Sequence, residues 1–463
     1  MLIEKGKKSD IDMTEGVIYR QILRFFFPLL GSSFFQQLYN TADAVIVGHY
    51  AGKIALSAVG SSTGALLSMF VGFFISMTSG AAVVVSQYYG ARRNRDVRKT
   101  VHTSILLTLG IGIAVTITGI LFTPGMLRII GTPDELMTVS ATYMRIFFLG
   151  MTANLLYNMS AAILRAVGDS RRPLLFLMLS CLINIALDLL FVVKFRMGVA
   201  GAAYATVICQ IISASLALFV LFHTDAPYGL RWKEFRISPH HAAKILRIGL
   251  PSGAQSLMYT FANVIVQSGI NSFGTDTVAA WTAYGKIDLL YWMLMASLGT
   301  SIMTFVGQNY GAGNIERVRR GVRISALMTT TVSILSSIVV LVFSTPLLSI
   351  FTNDPDVIRI GTTMIHMITP AYITYNLIEV FTGALRGMGE SFRPLLISLG
   401  SICALRIIWM LTVVPATASL KVLTLCYPLS WLTASVGYFL YYRHFMRIRL
   451  PSSAFPDKRD YYR

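Results

Sequence analysis

The chain has 463 residues, of which 54% are hydrophobic and 13% are charged, and its formal net charge is +18. Its mean hydropathy of +0.63 excludes a soluble globular protein, because such a protein could not bury that much apolar surface. A net charge of this size can indicate a nucleic-acid-binding protein, but the positions of the Lys and Arg residues argue against that class.

The predicted elements begin with a polar segment at 1–17, which leads into an apolar stretch with no small-residue cleavage site. We therefore expect a cytoplasmic segment and no removable signal peptide. Apolar segments of about 20 residues or more, the length that crosses a bilayer, then predict twelve transmembrane helices in an all-α integral membrane protein. The predicted spans are 18–47, 54–86, 100–122, 138–164, 173–193, 199–222, 243–270, 278–306, 322–344, 357–385, 394–415 and 420–442.

Charged residues between the spans predict the orientation of the chain. With a cytoplasmic amino terminus, thirty of the 39 Lys and Arg residues lie in inner segments and six lie in outer segments. Lys and Arg accumulate on the cytoplasmic side of membrane proteins. We therefore predict a multi-pass protein of the plasma (inner) membrane with both termini in the cytoplasm, in contact with lipid and not with nucleic acid.

The second half of the chain repeats the first half. The stretch VSQYYGARRNRDVRKTVHTSI at 85–105 returns as VGQNYGAGNIERVRRGVRISA at 306–326, with Gln87 and Gln308 221 residues apart. Parallel repeats of this length are typical of transporters whose two halves face a central cavity. We predict two pseudo-symmetric six-helix lobes around such a cavity, at 18–222 and 243–442. A cytoplasmic linker at 223–242 joins them, and a cytoplasmic tail follows at 443–463.

A second repeated motif, LRAVGDSRRP at 164–173 and LRGMGESFRP at 385–394, has the same interval. In each copy an Arg ends a helix, a Gly permits the turn, and a Pro begins the next span. The six residues are Arg165, Gly168, Pro173, Arg386, Gly389 and Pro394. We interpret them as structural residues, and the alternative is that they form part of an inner gate between the lobes.

These motifs and the run PLLGSSFFQQLYNTADAVIVGHYAG at 28–52 make the chain resemble the multidrug and toxic compound extrusion (MATE) family over about residues 15–445. The resemblance implies two six-helix lobes that alternate between inward-open and outward-open states. It also implies export of substrate in exchange for protons or sodium ions, with no cofactor.

Ionisable residues inside predicted spans are costly to insert and are candidates for function. Asp43 lies in the first span and Asp188 in the fifth, where Asn184 shares its helix face. By helical rise, Asp188 lies ~22 Å from the cytoplasmic end of its span, and Thr206 lies at a comparable depth. The equivalent positions of the second repeat hold Val266, Leu405, Trp409 and Tyr427. Building a lobe therefore does not require these polar groups.

Two carboxylates, an amide and a hydroxyl offer hard oxygen ligands that suit a small cation. Two neighbouring carboxyl groups can equally hold a proton. We predict a coupling site for H⁺ or Na⁺, with Na⁺ as the one metal ion expected, and the alternative is a structural polar network. The resemblance agrees, because Asp43, Asn184, Asp188 and Thr206 match the amino-lobe cation site of the family position by position.

The second lobe carries its acids elsewhere. Its first span, at 243–270, has no acid, which departs from the branch of the family with an acidic cation site there, whereas Asp288 and Glu379 lie in later spans. One interpretation is that Asp288 or Glu379 lines the substrate cavity and attracts a cationic substrate, with Tyr291 and Trp292 as aromatic neighbours. The alternative, suggested by similar estimated depths, is a buried ion pair between Asp288 and Arg406.

The sequence contains no Walker, nucleophile-elbow or HExxH motif, and its four cysteines lie in predicted spans without metal-ligand spacing. We therefore predict a monomeric antiporter rather than an enzyme, which exports small organic, cationic and amphiphilic compounds. The alternative function is a flippase for lipid-linked glycans of a related fold. Twelve predicted spans rather than fourteen, and no Arg-rich run within a span, argue against the flippase.

Overall fold

The computed structural model describes residues 11–448 except 53, 54, 56, 58, 59 and 61. Most of the predicted amino-terminal segment, much of the predicted tail and part of the predicted second span lie outside the described residues. Within the described part the chain is helical and contains no strand, which confirms the all-α fold.

Each predicted span corresponds to one helix or to consecutive helices. The helices of the first repeat are α1 (Ile18–Ile46), α2 (Ser62–Gly90), α3 (Asn94–Ile129), α4 (Asp134–Leu149), α5 (Met151–Ala166), α6 (Arg171–Asp188) and α7 (Gly198–Phe222). The helices of the second repeat are α8 (Pro239–Asn271), α9 (Thr275–Gly311), α10 (Ile315–Val342), α11 (Ser344–Ser349), α12 (Pro355–Ile368), α13 (Tyr372–Gly387), α14 (Phe392–Ser398), α15 (Leu405–Thr417), α16 (Leu420–Thr424) and α17 (Cys426–Ile448).

The number of spans follows from helix length and apolarity. In the described residues, eight helical segments are long and apolar enough to cross a membrane, or nine if α4 and α5, which meet at 47°, form one bent span. The 29 residues of α1 and the 33 residues of α8 also suffice in length, since a core of about 30 Å needs about 20 residues. The count of twelve stays a prediction.

In the described residues, wide π-type turns that the sequence did not predict lie at the ends of the first and fifth predicted spans and inside the eleventh. They are Val47–Ala51 after α1, Leu189–Lys194 after α6, and Leu399–Ala404 before α15. Such turns rotate the following side chains out of the regular helical register and occur often at functional sites. Asp188 directly precedes the second turn and Arg406 closely follows the third.

The chain forms two compact units. The first unit contains the described residues up to Thr260, together with Met303–Ala312 and Arg386–Phe392. The second unit contains Phe261–Ile302, Gly313–Leu385 and the described residues from Arg393 onward. The first unit therefore combines the first repeat with those ends of α8, α9 and α13 that we predict to face the cytoplasm.

Close helix packing organises the first unit. A Cβ atom added to Gly119 of α3 would lie 2.3 Å from the ring of Phe148 on α4, so only glycine permits this approach. Phe148 is fully buried in an apolar cluster that includes Met144 and Val207 of α7. Helices in a bilayer associate through such tight packing, because lipid is as apolar as the side chains themselves. This cluster packs against α7 at Val207, the residue that follows Thr206.

Candidate functional site

The four predicted coupling residues lie close together in the first unit. Asp43 is near the end of α1, and Asn184 and Asp188 share one face at the end of α6, which packs against both α1 and α7. Thr206 lies on α7, and the carboxyl groups of Asp43 and Asp188 are near enough to interact directly. Side-chain exposure is 7% for Asp43, 0% for Asn184 and Asp188, and 3% for Thr206.

Apart from the approach of the two carboxyl groups to each other and of the Tyr39 hydroxyl to Thr206, most polar atoms of this cluster lack a hydrogen-bond partner in the described part of the chain. They are Oδ1 of Asp43, Oδ1 and Nδ2 of Asn184, both carboxylate oxygens of Asp188, and Oγ1 of Thr206. A buried polar atom without a partner costs about 1 to 3 kcal/mol, and more if it is charged. Five of these six atoms are oxygens, which suit a small cation or protons. The cluster therefore has the composition of an ion-binding site.

Two tyrosines that the sequence analysis missed complete the surroundings of the cluster. Tyr39 precedes Asp43 by one helical turn, and its hydroxyl group approaches Thr206. Tyr143 of α4 is 5% exposed and lies near both carboxyl groups. The four-residue spacing of Tyr39 and Asp43 was a usable signal. Nothing in the sequence around Tyr143 distinguishes it from an ordinary packing residue.

The repeated LRxxGxxxxP motif forms helix ends in both copies. α5 ends at Ala166 and α13 at Gly387, directly after their arginines. Gly168 and Gly389 have φ angles of 97° and 88°, in the left-handed region where a side chain would be strained. The prolines lie in the first turn of the next helix, where a missing amide hydrogen costs nothing.

Two glutamines link the repeats at these helix ends. Gln87 of α2 donates from Nε2 to the carbonyl oxygen of Gly387 at 2.8 Å. Gln308 of α9 donates from Nε2 to the carbonyl oxygen of Ala166 at 2.9 Å. Gln87 and Gln308 are repeat equivalents, and so are Ala166 and Gly387, so the two bonds are related by the internal pseudo-symmetry. We call this arrangement the glutamine crossing.

Glycines bring α2 and α9 into backbone contact at the glutamine crossing. A Cβ atom on Gly90 would lie 1.9 Å from the carbonyl oxygen of Gln308, and one on Gly311 would lie 1.9 Å from that of Gln87. The amino-terminal segment packs over the crossing, since Met13 is fully buried and its amide donates to Oε1 of Gln308 at 3.1 Å. All of these residues belong to the first unit, and together they form a candidate inner gate.

The predicted substrate-cavity residues lie in the second unit within an aromatic cluster. Trp292 donates from Nε1 to Oδ2 of Asp288 at 2.6 Å, and the Tyr372 hydroxyl donates to Oδ1 of the same carboxylate. Glu379 accepts a hydrogen bond of 2.6 Å from the Tyr375 hydroxyl. The rings of Trp292 and Tyr375 are 4.4 Å apart, so the two acids belong to one cluster.

Tyr291 is buried in the same cluster. Its ring stacks on that of Tyr372 with centroids 3.8 Å apart, and its hydroxyl donates to the carbonyl oxygen of Tyr372 at 2.9 Å. With 2% of its surface exposed, Tyr291 supports the cluster from within.

The alternative interpretation, a buried ion pair between Asp288 and Arg406, is wrong. Arg406 donates from Nε to Ser430 and from Nη1 to Asn263, each at 3.0 Å, and its guanidinium lies 4.2 Å from the Tyr427 ring centroid. Among the described residues, no carboxylate lies within 4.0 Å of it. Depth estimates place residues along the membrane normal only, and the direction in which each side chain points separated these two.

Comparison with known proteins places these features in context. A family model described as MatE matches residues 28–190 and 251–412. The probable multidrug resistance protein YpnP of Bacillus subtilis (strain 168) is 28% identical over 438 residues, which cover 94% of this chain and 96% of YpnP. The probable multidrug resistance protein NorM of Thermotoga maritima is 26% identical, with 84% of each chain covered.

Solved structures share the fold. A MATE protein crystallised in a bent conformation matches with a TM-score of 0.90 at 22% identity, over 96% of this chain and 98% of that one. An outward-facing multidrug resistance MATE transporter of the MOP superfamily matches with a TM-score of 0.86 at 22% identity, over 96% and 99%.

Proposed function

Because the chain belongs to the MatE family, whose members are multi-pass membrane transporters rather than enzymes, we propose that it is a secondary antiporter. It exports small organic compounds, cationic and amphiphilic in character, in exchange for H⁺ or Na⁺. The flippase is the weaker alternative, because curated relatives are described as probable multidrug resistance proteins.

The observation that carries the proposal is the set of buried, unpartnered oxygens on Asp43, Asn184, Asp188 and Thr206. Protons or Na⁺ would bind to these oxygens and neutralise the two carboxylates. The unfavourable free energy of burying their negative charge away from water would then be removed. Coupling follows if the outward-open protein returns to the inward-open state only in this neutral form. Each export cycle then admits the coupling ion.

Substrate recognition belongs, in this proposal, to the aromatic cluster of the second unit. The carboxylates of Asp288 and Glu379 would attract a cationic group, and the ring of Trp292 would add cation–π attraction. The glutamine crossing would act as the inner gate, because it connects helix ends of both repeats on the side that we predict to be cytoplasmic. Arg165, Gly168, Pro173 and their repeat equivalents would position those helix ends.

Transport into proteoliposomes with separately imposed pH and Na⁺ gradients tests the coupling. Asp43→Asn and Asp188→Asn keep side-chain volume and remove charge, so we expect gradient-driven transport to fall at least about tenfold while substrate binding without a gradient persists. Asp134→Asn, which changes an exposed aspartate at the start of α4, is the matched control. If both buried variants transport against a gradient as well as this control, the proposed coupling site is wrong.

We also propose that one chain forms the complete transporter, in the plasma membrane with both termini cytoplasmic and with lipid and a small-molecule substrate as its partners. Both repeats belong to the same polypeptide, so a two-lobed protein requires no second subunit. Light scattering in detergent should give a protein mass near 51.0 kDa, and a mass twice as large would contradict the monomer.

A further inference from the structure

Arg406 is a buried cation without an acidic partner in the second unit. Its side chain is 3% exposed and lies on α15, inside the candidate span Phe392–Thr417. Its hydrogen bonds go to the hydroxyl of Ser430 and the amide oxygen of Asn263. Both partners are neutral, and so is the ring of Tyr427 beneath the guanidinium. The positive charge therefore remains uncompensated by the described residues.

Burial of the Arg406 charge is unfavourable, and not all N–H donors of its guanidinium group are used. Burying an unpaired ion is unfavourable even after local relaxation, and charged side chains at membrane depth are functional candidates for that reason. Within the described part of the chain, Nη2 of Arg406 has no hydrogen-bond partner. Asn263, which accepts from Nη1, is itself exposed. A ligand in contact with Asn263 would therefore also lie close to the guanidinium group of Arg406.

The internal repeat relates the surroundings of Arg406 to a region of the first lobe. In the register of the repeat, Tyr427 is equivalent to Thr206, and Arg406 follows directly after the equivalent of Asn184. Arg406 and Tyr427 therefore occupy the counterpart of the candidate coupling cluster. The first repeat places two carboxylates there, and the second places a guanidinium. Arg406 itself aligns with Ile185, and Trp409 aligns with Asp188, so the corresponding regions of the two lobes carry opposite charges at different helix positions.

The carboxylates of the second unit do not serve as the counter-ion. Asp288 accepts from Trp292 and Tyr372, and Glu379 accepts from Tyr375. A role confined to packing would require neither a charge nor the spare donor. The geometry leaves a planar donor group of the kind that binds carboxylate or phosphate through paired hydrogen bonds.

We propose that Arg406, together with Asn263, binds a carboxylate or phosphate group of the transported compound. The inference rests on the proposed exporter function and adds a substrate class to it: compounds that carry an anionic group. The ring of Trp281, whose centroid is 5.6 Å from that of Tyr427, lies beside the site for the organic part of such a compound. A cationic group on the same molecule would still have Asp288 available.

Equilibrium binding to the purified full-length protein, without any ion gradient, tests the site. Two matched probe pairs differ only in the anionic group: riboflavin against riboflavin 5′-phosphate, and 2-naphthamide against 2-naphthoate. We expect the protein to bind at least one anionic member about tenfold or more tightly than its neutral counterpart, since charge-assisted hydrogen bonds have that value. Comparing the two pairs shows whether phosphate or carboxylate is preferred.

Arg406→Gln should abolish this preference and Arg406→Lys should retain part of it, because lysine keeps the charge without the planar donor pair. The control is Arg393→Gln, which removes an exposed arginine of the same unit. Equal loss of the neutral and anionic probes in Arg406→Gln, with a lowered melting temperature, would overturn the site in favour of a structural role. The absence of any anion preference in the parent protein would also overturn it.

This experiment and the transport assay fail independently. Asp43→Asn should lose gradient-driven export but keep the preference for anionic probes, because coupling and recognition lie in different units. If export proves not to depend on an ion gradient while Arg406 still selects anions, the antiporter proposal is wrong and the anion site stands.

Discussion

At the scale of single residues, the corresponding regions of the two repeats carry opposite charges, at different helix positions. Asp188 ends α6 just before a π-type turn, and Arg406 follows the π-type turn of the repeat-equivalent span. Each side chain is at most 3% exposed. The chemistry of each lobe in this region is decided by the side chains present and by their immediate partners.

Asp288 provides a prediction about cationic substrates. Asp288→Asn keeps an oxygen that can accept from Tyr372 but removes the charge. We expect affinity for tetraphenylphosphonium to fall about tenfold, while affinity for the neutral triphenylphosphine oxide changes little. Asp276→Asn, at an exposed aspartate near the start of α9, controls for net charge. Equal weakening of both ligands would rule out the attraction of cations.

Because Asp288 and Arg406 are not in contact, the Asp288→Asn variant also provides a prediction about stability. Residues that share no partner have nearly additive effects on stability. Adding Arg406→Gln to Asp288→Asn should therefore not restore the melting temperature in detergent. Recovery of the parent value by the double variant would mean that the two charges do compensate each other.

His241, at the start of α8 and outside the predicted spans, provides a prediction about pH. Burial lowers the pKa of this imidazole below its usual range, and His240 and Lys99 act in the same direction, whereas Asp96 opposes them. Its ring nitrogens lie 2.7 Å from the Ser238 hydroxyl and 3.4 Å from the Asp96 carboxylate. The folded state therefore favours the neutral ring.

A lowered folded-state pKa means that His241 contributes stability above its unfolded-state pKa, about 6.5, and loses that contribution as the pH falls through the folded-state value. The melting temperature of the parent should thus drop more between about pH 7.5 and about pH 5.5 than that of His241→Gln, which cannot titrate. His223→Gln, at an exposed histidine, should behave like the parent. Identical pH profiles for the parent and His241→Gln would contradict the assignment.

At the scale of the elements, the glutamine crossing makes a prediction about helix contact. A methyl group on Gly90 or Gly311 would meet a backbone carbonyl at 1.9 Å, and a backbone cannot move aside as a flexible side chain can. Gly90→Ala and Gly311→Ala should each separate α2 from α9 and reduce transport at least about tenfold. Gly110→Ala, where no atom lies within 4 Å, should transport normally.

Cysteine labelling distinguishes an opened gate from general damage to the fold. Ser86 of α2 is 1% exposed beside the crossing, so a cysteine there should react slowly with an impermeant reagent in inside-out vesicles. Gly90→Ala should accelerate that reaction while the protein still unfolds in a single cooperative thermal transition, as Gly110→Ala does. Unchanged labelling together with unchanged transport would show that the crossing is not part of a gate.

At the scale of the whole molecule, the distribution of Lys and Arg predicts which loops share one side of the membrane. Single cysteines in the segments at 92–99, 169–172, 223–244 and 317–323, which we predicted as loops but which include the first turns of α3, α6, α8 and α10, should resist impermeant thiol reagents in intact cells and react after permeabilisation. The native cysteines Cys181, Cys209, Cys403 and Cys426 are all buried, so background labelling should be low. Labelling of two or more of these loops from outside would contradict the predicted topology.

The sequence alone was enough to predict the fold class and the family. Long apolar segments leave a chain few options other than transmembrane helices, because every backbone polar group must be satisfied within the bilayer. The repeated motifs then indicated a duplicated transporter, in agreement with the matched family. The grouping of Asp43 with Asn184 and Asp188 was also accessible, because helical rise and helical spacing are one-dimensional quantities that a sequence carries directly.

Only the tertiary structure decided which side chains meet. Tyr143 joins the candidate coupling cluster because α4 packs beside it, and Arg406 pairs with Asn263 rather than with Asp288 because of the directions in which these side chains point. The π-type turns that bear on those directions have no sequence signature. The backbone contact at Gly90 depends on the crossing of two helices far apart in the chain. Depth follows from counting residues, but azimuth around a helix axis follows only from packing.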